Sequence, residues 1–399
     1  MIKEILENNL IDIYLQPIVS IRTKRIYAFE ALTRCTYEEF FIPPNRLFEL
    51  AQLEELCFEL DTFTREKSIE KFYPYYQENK DLILFLNIES SLINNFDKRK
   101  DYCCIKTINK LGIPYKNFMI EIKEDEITNT IALEEFCSCY KKLGFSIALD
   151  DFGTGNSTFD RINIIKPHLI KIDKSLFVNI KNNLIHKEIV KAIAKMSHNL
   201  GIRVLAEGVE DEDAICNAME SNINLFQGYY FARPDKTLSL DKMDLILTKI
   251  NKIGNLFKQN TINLINQKRD LINFFTNFSN QIIKEINDVY KSKDILSNIL
   301  NNSKELEAIY LIDAKTSKQI NDTFINPDNI KVGFKATKDG DEHYLKEYYF
   351  ITLESKQENY LSETYVSFAT GNICKTFARK FELDFKHYIL CLDLIVQQE

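Results

Sequence analysis

The chain has 399 residues, of which 45% are hydrophobic and 27% charged, with a formal net charge of −7 and a pI near 5.5. Its length suggests two or three domains, and its composition is that of a globular protein. The acidic balance excludes a basic surface built for a nucleic-acid polymer, so an anionic ligand would need a metal ion or a local Arg/Lys cluster. The nine cysteines form no Cys-x-x-Cys pair, and they read as reduced thiols with no zinc site. The opening residues Met1–Asn8 are too polar for a signal peptide, and no window of 18 apolar residues suggests a membrane span. The expected location is cytoplasmic.

Residues 1 to about 240 alternate between strand-like and helical runs. Strands are expected at Ile11–Pro17, Ile26–Thr33, Leu82–Ile88, Phe118–Ile122, Phe145–Leu149, Leu169–Ile172, Arg203–Ala206 and Phe226–Tyr230. Helices are expected between most of them, at Pro44–Lys71, Ala132–Leu143, His186–Leu200 and Glu212–Glu220. This order fits an α/β fold of the (β/α)8 TIM-type barrel better than an open sheet. Strands one and two are separated by only about eight residues, too few for a parallel crossover. The first strand is therefore expected to run antiparallel, giving a modified barrel.

Residues 241–300 read as a helical linker. Leu271, Phe275, Phe278, Ile282, Ile286 and Val289 form an amphipathic stripe that suits packing on a neighbouring domain or dimerisation. From 301 to 399 the texture changes to strands, expected at Ala308–Asp313, Tyr344–Phe350, Tyr360–Ser367, Ile373–Ala378 and Tyr388–Leu394. This predicts a smaller α+β domain, an antiparallel sheet fronted by a long helix.

Chemistry-bearing residues cluster at the carboxyl ends of the barrel strands, where the active residues of such barrels sit. The ends carry Gln16, Glu30 and Arg34, Asn87, Glu121 and Glu124, Asp150 and Asp151, Lys171 and Asp173, Glu207 and Glu210, and Gln227. Adjacent carboxylates such as Asp150 and Asp151 repel unless a cation or proton separates them. An all-oxygen set without His or Cys suits a hard cation such as Mg2+ or Mn2+. A carboxylate shared between two cations suits in-line displacement at phosphorus, and Asp150 is the candidate bridge. Lys171 could hold a nucleophilic water, neutralise phosphate charge, or simply pair with Asp173 or Asp150. Arg34 could fork onto a phosphate.

Glu30-Ala31-Leu32, followed by Thr33-Arg34, resembles the signature of the EAL-domain cyclic di-GMP phosphodiesterases. Further similar motifs follow in order: Gln16-Pro17-Ile18, Leu86-Asn87-Ile88, Glu121-Ile122-Lys123-Glu124, Asp150-Asp151-Phe152-Gly153-Thr154-Gly155, Lys171-Ile172-Asp173, Ala206-Glu207-Gly208-Val209-Glu210 and Gln227-Gly228-Tyr229-Tyr230-Phe231. The resemblance implies that Glu30, Asn87, Glu121 and Asp150 ligate one metal, and that Asp150, Asp151 and Glu207 serve a second. It implies that Lys171 contacts the attacking water, with Glu207 as base or ligand. Glu210 and Gln227 would complete the water and metal network, and Glu124 would hold the Asp151–Thr158 loop. Gln16, Arg34 and Asp173 would touch substrate. The implied reaction is hydrolysis of cyclic di-GMP to linear pGpG with Mg2+ or Mn2+, in a homodimer. The alternative is a non-catalytic cyclic di-GMP receptor.

The sequence departs from the family pattern at Lys123, where Thr is usual, at Asn156, Thr158 and Asn224. None of these removes an implied metal ligand. Tyr365–Thr376 and Ile309–Asp313 resemble PAS-like sensor domains of the Cache type, with an unknown ligand or partner.

Overall fold

The structure, a computed structural model, describes residues 1–102, 104–123, 127–153, 159–325, 330–355 and 358–396. Strand β1 (Ile11–Ser20) passes through the short link Ile21–Lys24 into β2 (Arg25–Tyr37). The two pair antiparallel from Ile11↔Cys35 to Ser20↔Arg25, as so short a link requires. A hairpin extension, β3 (Phe40–Ile42), hangs off the end of β2. Then β4 (Ile83–Asn87), β5 (Phe118–Lys123), β6 (Ser146–Phe152), β7 (Leu169–Ile172), β8 (Arg203–Ala206) and β9 (Leu225–Phe226) add in parallel, one after another. Strand β9 closes back onto β1 through Val19↔Phe226 and Ser20↔Leu225, again antiparallel. Among the described residues this is a closed eight-stranded barrel in which only β1 is reversed.

Two local expectations need correcting. The single helix expected over Pro44–Lys71 is two helices, Pro44–Leu53 and Cys57–Glu78. Glu55 adopts φ +57°, and the Leu56 amide returns to the Ala51 carbonyl, so the first helix ends in a left-handed C-terminal turn. The last barrel strand is shorter than Phe226–Tyr230, because the chain turns at Gly228. A Cβ there would lie 2.0 Å from the Val209 carbonyl oxygen, a contact only glycine can make.

The chain divides into two compact units, Met1–Asn260 and Thr261–Glu399. The division falls inside the helix Leu240–Glu285. Within the first unit, Ile246, Ile250 and Ile253 join the core of the barrel and its surrounding helices. Within the second, Phe275, Ile282 and Ile286 cover one face of an antiparallel sheet together with Leu296 and Leu300 of the helix Lys293–Asn302.

That sheet is built from β10 (Leu306–Asp313), β11 (Gln319–Ile325), β12 (Asn359–Leu361), β13 (Tyr365–Val366), β14 (Ile373–Leu383) and β15 (Lys386–Ile395). Their order is β11-β10-β15-β14-β12, with β13 paired to β14. The strand expected at Tyr344–Phe350 is instead a loop and the helix Glu347–Glu354. Aromatic composition suggested a strand, but Tyr348, Tyr349 and Thr352 are buried at helical spacing. Strand β11 escaped notice because two of its three buried residues, Gln319 and Thr323, are polar and only Ile320 is apolar. Gln319 is buried by bonding to His343, Thr323 and Thr337. Every described cysteine is a free thiol, and no described helix is long and apolar enough to cross a membrane.

The second unit buries Asp393, which accepts from Thr376 Oγ1 (2.7 Å) and more distantly from Tyr310 OH (3.4 Å). Burial, helped by Glu307 and opposed by the Thr376 bond, pushes its carboxyl up to about 7. An acid whose folded value is raised contributes stability that is full below its unfolded value, about 3.9, and is lost as pH rises through the folded one. The thermal midpoint of the unit's transition in the full chain should therefore fall between about pH 4 and pH 7 and level off above, and Asp393→Asn should flatten that dependence. Calorimetric scans across this range check it; an unchanged slope in the variant would contradict it.

Candidate active site

Ile18, Ala28, Phe85, Met119, Ala148, Leu169, Leu205 and Leu225 form one apolar layer across the barrel. Strand side chains alternate, so the residue two positions further toward the carboxyl rim again points inward. Those residues are Glu30, Asn87, Glu121, Asp150, Lys171, Glu207 and Gln227. On the reversed β1 the equivalent position is two residues earlier, Gln16. One layer of the barrel is thus apolar and the next is almost wholly polar.

The Lys171 ammonium occupies the middle of the polar layer. Its Nζ lies 2.5 Å from Glu207 Oε1, 2.6 Å from Glu121 Oε1, 3.0 Å from Asp150 Oδ1 and 3.8 Å from Glu30 Oε1. The surrounding amides fix Glu30. Asn87 Nδ2 donates to Glu30 Oε1 (3.1 Å) and Gln227 Nε2 donates to Glu30 Oε2 (2.5 Å). Gln227 Nε2 also reaches Gln16 Oε1 (3.0 Å), and Gln16 Nε2 donates to the Ala232 carbonyl (3.1 Å).

Burial strongly disfavours charge here. It would lower the Lys171 pKa, but the attraction of Asp150, Glu121, Glu207 and Glu30 outweighs it and holds the ammonium well above its usual range. Burial and the neighbouring Glu30 raise Glu121 well above the carboxylate range, against the pull of Lys171. Burial likewise pushes Glu207 up to about 8, with Lys171 opposing and Asp150 and Glu30 adding to the rise.

Asp150 and Asp151 converge through a bulge. The β6–β7 register shifts between Leu149↔Ile170 and Phe152↔Ile172, so two residues of β6 face Lys171 alone. Asp151 takes φ +54° at this point. Carboxylate oxygens of Asp150, Asp151 and Glu207 consequently lie within 4.8 Å of one another.

The donor set fits a divalent cation. Among the described residues, both oxygens of buried Glu121 and Oδ1 of Asp150 lack a hydrogen-bond donor, although Lys171 lies close. The Asn87 amide nitrogen is committed to Glu30, which leaves its carbonyl oxygen as the available ligand atom. Carboxylates and one amide oxygen make the hard, all-oxygen environment that Mg2+, Mn2+ or Ca2+ takes. Glu30, Asn87, Glu121 and Asp150 could hold one ion, and Asp150, Asp151 and Glu207 a second.

Glu30, Asn87, Asp150, Lys171 and Glu207 floor a cleft of about 690 Å3, and Glu121 lies beneath it. Asp173 lines it, with Oδ1 accepting from the Ser175 amide (2.8 Å), and exposed Glu210 stands at its edge. Arg34 is not among the lining residues; its guanidinium donates to the Thr33 carbonyl (2.8 Å) and lies over the Tyr14 ring. Glu124 and the loop 154–158 lie outside the described residues. Sequence reasoning expected a helix here but missed its part in the site: Cys57–Glu78 contributes Asp61, Thr64, Arg65 and Ser68 to the cleft wall. Asp61 and Arg65 form a buried ion pair there. The available signal was polar residues recurring every three or four positions among apolar ones on a helix that must pack.

Removing the central cation should be costly. Without divalent ions, Lys171→Met leaves four clustered carboxylates unpaired and should lower unfolding stability by about 3 kcal/mol, the scale of a broken buried pair. Millimolar Mn2+ should restore much of that loss. Denaturant titrations with and without Mn2+ check this, and an equal loss under both conditions would contradict it.

Comparison with known proteins agrees with this geometry. The EAL domain profile matches residues 1–234, and the chain belongs to the EAL-domain family. The cyclic di-GMP phosphodiesterase PdeA of Borreliella burgdorferi is 28% identical over 232 residues, covering 58% of this chain and 34% of that protein. The chain spans about a third of the length of the first curated relatives it matches. Among solved structures, the Bacillus subtilis YkuI protein, with an EAL domain and in complex with substrate cyclic di-GMP and calcium, matches with a TM-score of 0.83. At 19% identity it covers 100% of this chain and 99% of its own, so the likeness of fold extends through the strand-rich C-terminal region. Klebsiella pneumoniae BlrP1, solved as a manganese and cyclic di-GMP complex at pH 9.0, matches at TM-score 0.51 and 26% identity, covering 57% of this chain and 56% of that one.

Proposed function

We propose that the chain is a divalent-metal-dependent phosphodiesterase that hydrolyses cyclic di-GMP to linear pGpG. The observation that carries this reading is the buried polar layer: four carboxylates and an asparagine gathered around one lysine at the floor of a cleft. Relatives named as cyclic di-GMP phosphodiesterases support it. Mg2+ or Mn2+ in the site would supply Lewis-acid stabilisation of charge on the entering and leaving oxygens.

The residues of the chain do the rest. Lys171, held beside Glu207 at the floor of the cleft, orients the attacking water and offers a hydrogen bond to a phosphoryl oxygen. Glu207 Oε1, beside that ammonium, takes the proton the water releases. A new P–O bond forms to the water oxygen, the P–O3′ bond breaks, and the 3′ oxygen gains a proton from solvent. Gln16 and Gln227 keep Glu30 oriented, while Asp173, at the cleft wall, faces substrate. Residues 301–399 act as a PAS-like regulatory unit joined through the helical segment 241–300, in a cytoplasmic homodimer.

Chromatographic analysis of products after mixing the purified chain with cyclic di-GMP tests the reading. With Mg2+ or Mn2+ the wild type should yield linear pGpG, excess EDTA should abolish turnover, and Lys171→Ala should lower kcat by about 100-fold or more. Full turnover in excess chelator would contradict metal dependence. Saturable nucleotide binding without product would favour a non-catalytic receptor.

A further inference from the structure

Lys123 is the last residue of β5, two positions beyond Glu121, so both side chains belong to the same face of the strand. The parallel register sets Lys123 opposite Asp150. The bulge after Asp150 then turns Asp151 toward it, and Lys123 Nζ stands 3.5 Å from Asp151 Oδ2. Both side chains are a little under half exposed, and Lys123 forms part of the cleft wall. This ammonium therefore sits against one of the three carboxylates whose oxygens converge within 4.8 Å.

The two ends of the polar layer are unequal as a result. Glu30, Asn87, Glu121 and Asp150 meet no cation other than Lys171 in ion-pair contact among the described residues. The Asp150, Asp151 and Glu207 group faces Lys171 on one side and Lys123 on the other. A divalent cation entering that group must draw Asp151 away from an ammonium and then remain beside it. Both effects weaken binding there, whereas the first group meets Lys123 only through the charge of the shared Asp150 and forms no ion pair with it among the described residues.

Resting on the metal-dependent reading above, we propose that Lys123 is a built-in competitor for the second metal ion, which makes the Asp150, Asp151 and Glu207 position the weaker of two cation sites. A neutral residue at 123 removes both the ion pair and the repulsion. Outer-shell partners of metal ligands change metal affinity by about ten-fold or more, and Lys123 is such a partner of Asp151, which sets the expected size.

Calorimetric Mn2+ titration of the full chain, without nucleotide, tests this, with the Mn2+ electron paramagnetic resonance signal as an independent count of bound ions. The wild type should take up Mn2+ in a tighter and a weaker step. Lys123→Thr should tighten the weaker step about ten-fold and leave the tighter one in place, while Lys123→Arg should behave as wild type. Two steps unchanged in Lys123→Thr, or both shifted equally, overturn the inference and leave the hydrolase reading intact. The expected shift in a chain that makes no pGpG upholds the inference and overturns the hydrolase reading. No Mn2+ uptake by either protein overturns both.

Discussion

The contact between one buried ammonium and four carboxylates, three of them buried and Glu207 partly so, is the constraint on which the barrel's carboxyl end depends. Charges taken out of water are strongly penalised unless they are paired, and removing one partner costs more than the pair itself returns. Lys171 alone compensates Glu30, Glu121, Asp150 and Glu207 in ion-pair contact, among the described residues. One positive charge among four acids leaves protons or further cations to complete the neutralisation. The upward shifts of Glu121 and Glu207 express that need, and divalent cations would meet it more fully than protons do.

The rest of the unit serves this arrangement. The apolar layer formed by Ile18, Phe85, Met119, Leu169 and their neighbours seals the barrel immediately beneath the polar one. The antiparallel β1 gives Gln16 the same inward direction as the residues of the parallel strands, so reversing one strand does not interrupt the ring. The bulge in β6 brings a second carboxylate to the site where regular alternation would turn it outward.

Much of this was legible in the sequence because period-two alternation and short links obey strict geometry. The reversed first strand followed from the length of one link. Apart from Arg34 and Glu124, the strand-end residues read from the sequence all line the cleft or enter the cluster beneath it, since a strand end fixes which way its side chain points. Arg34 reads as a phosphate ligand only from its charge, and its contacts with Thr33 and Tyr14 depend on packing that no spacing reveals. The Asp61–Arg65 wall was hidden because helix polarity is usually solvent-facing, and only the fold turns this face inward. In the second unit, Tyr344–Phe350 misled because aromatic composition favours strands while burial at helical spacing decided the outcome. The polar β11 was invisible because its buried Gln319 is satisfied by residues distant in sequence.

The central claim is that the ring of acids around Lys171 is a divalent-cation site. An anomalous difference map from crystals of the full chain soaked in Mn2+ tests it most directly. The account expects a peak in ligating contact with Glu30, Asn87, Glu121 and Asp150, with the Lys171 ammonium displaced toward Glu207 and the cleft. A map without a peak there at millimolar Mn2+, with Lys171 still centred among the four carboxylates, would contradict it.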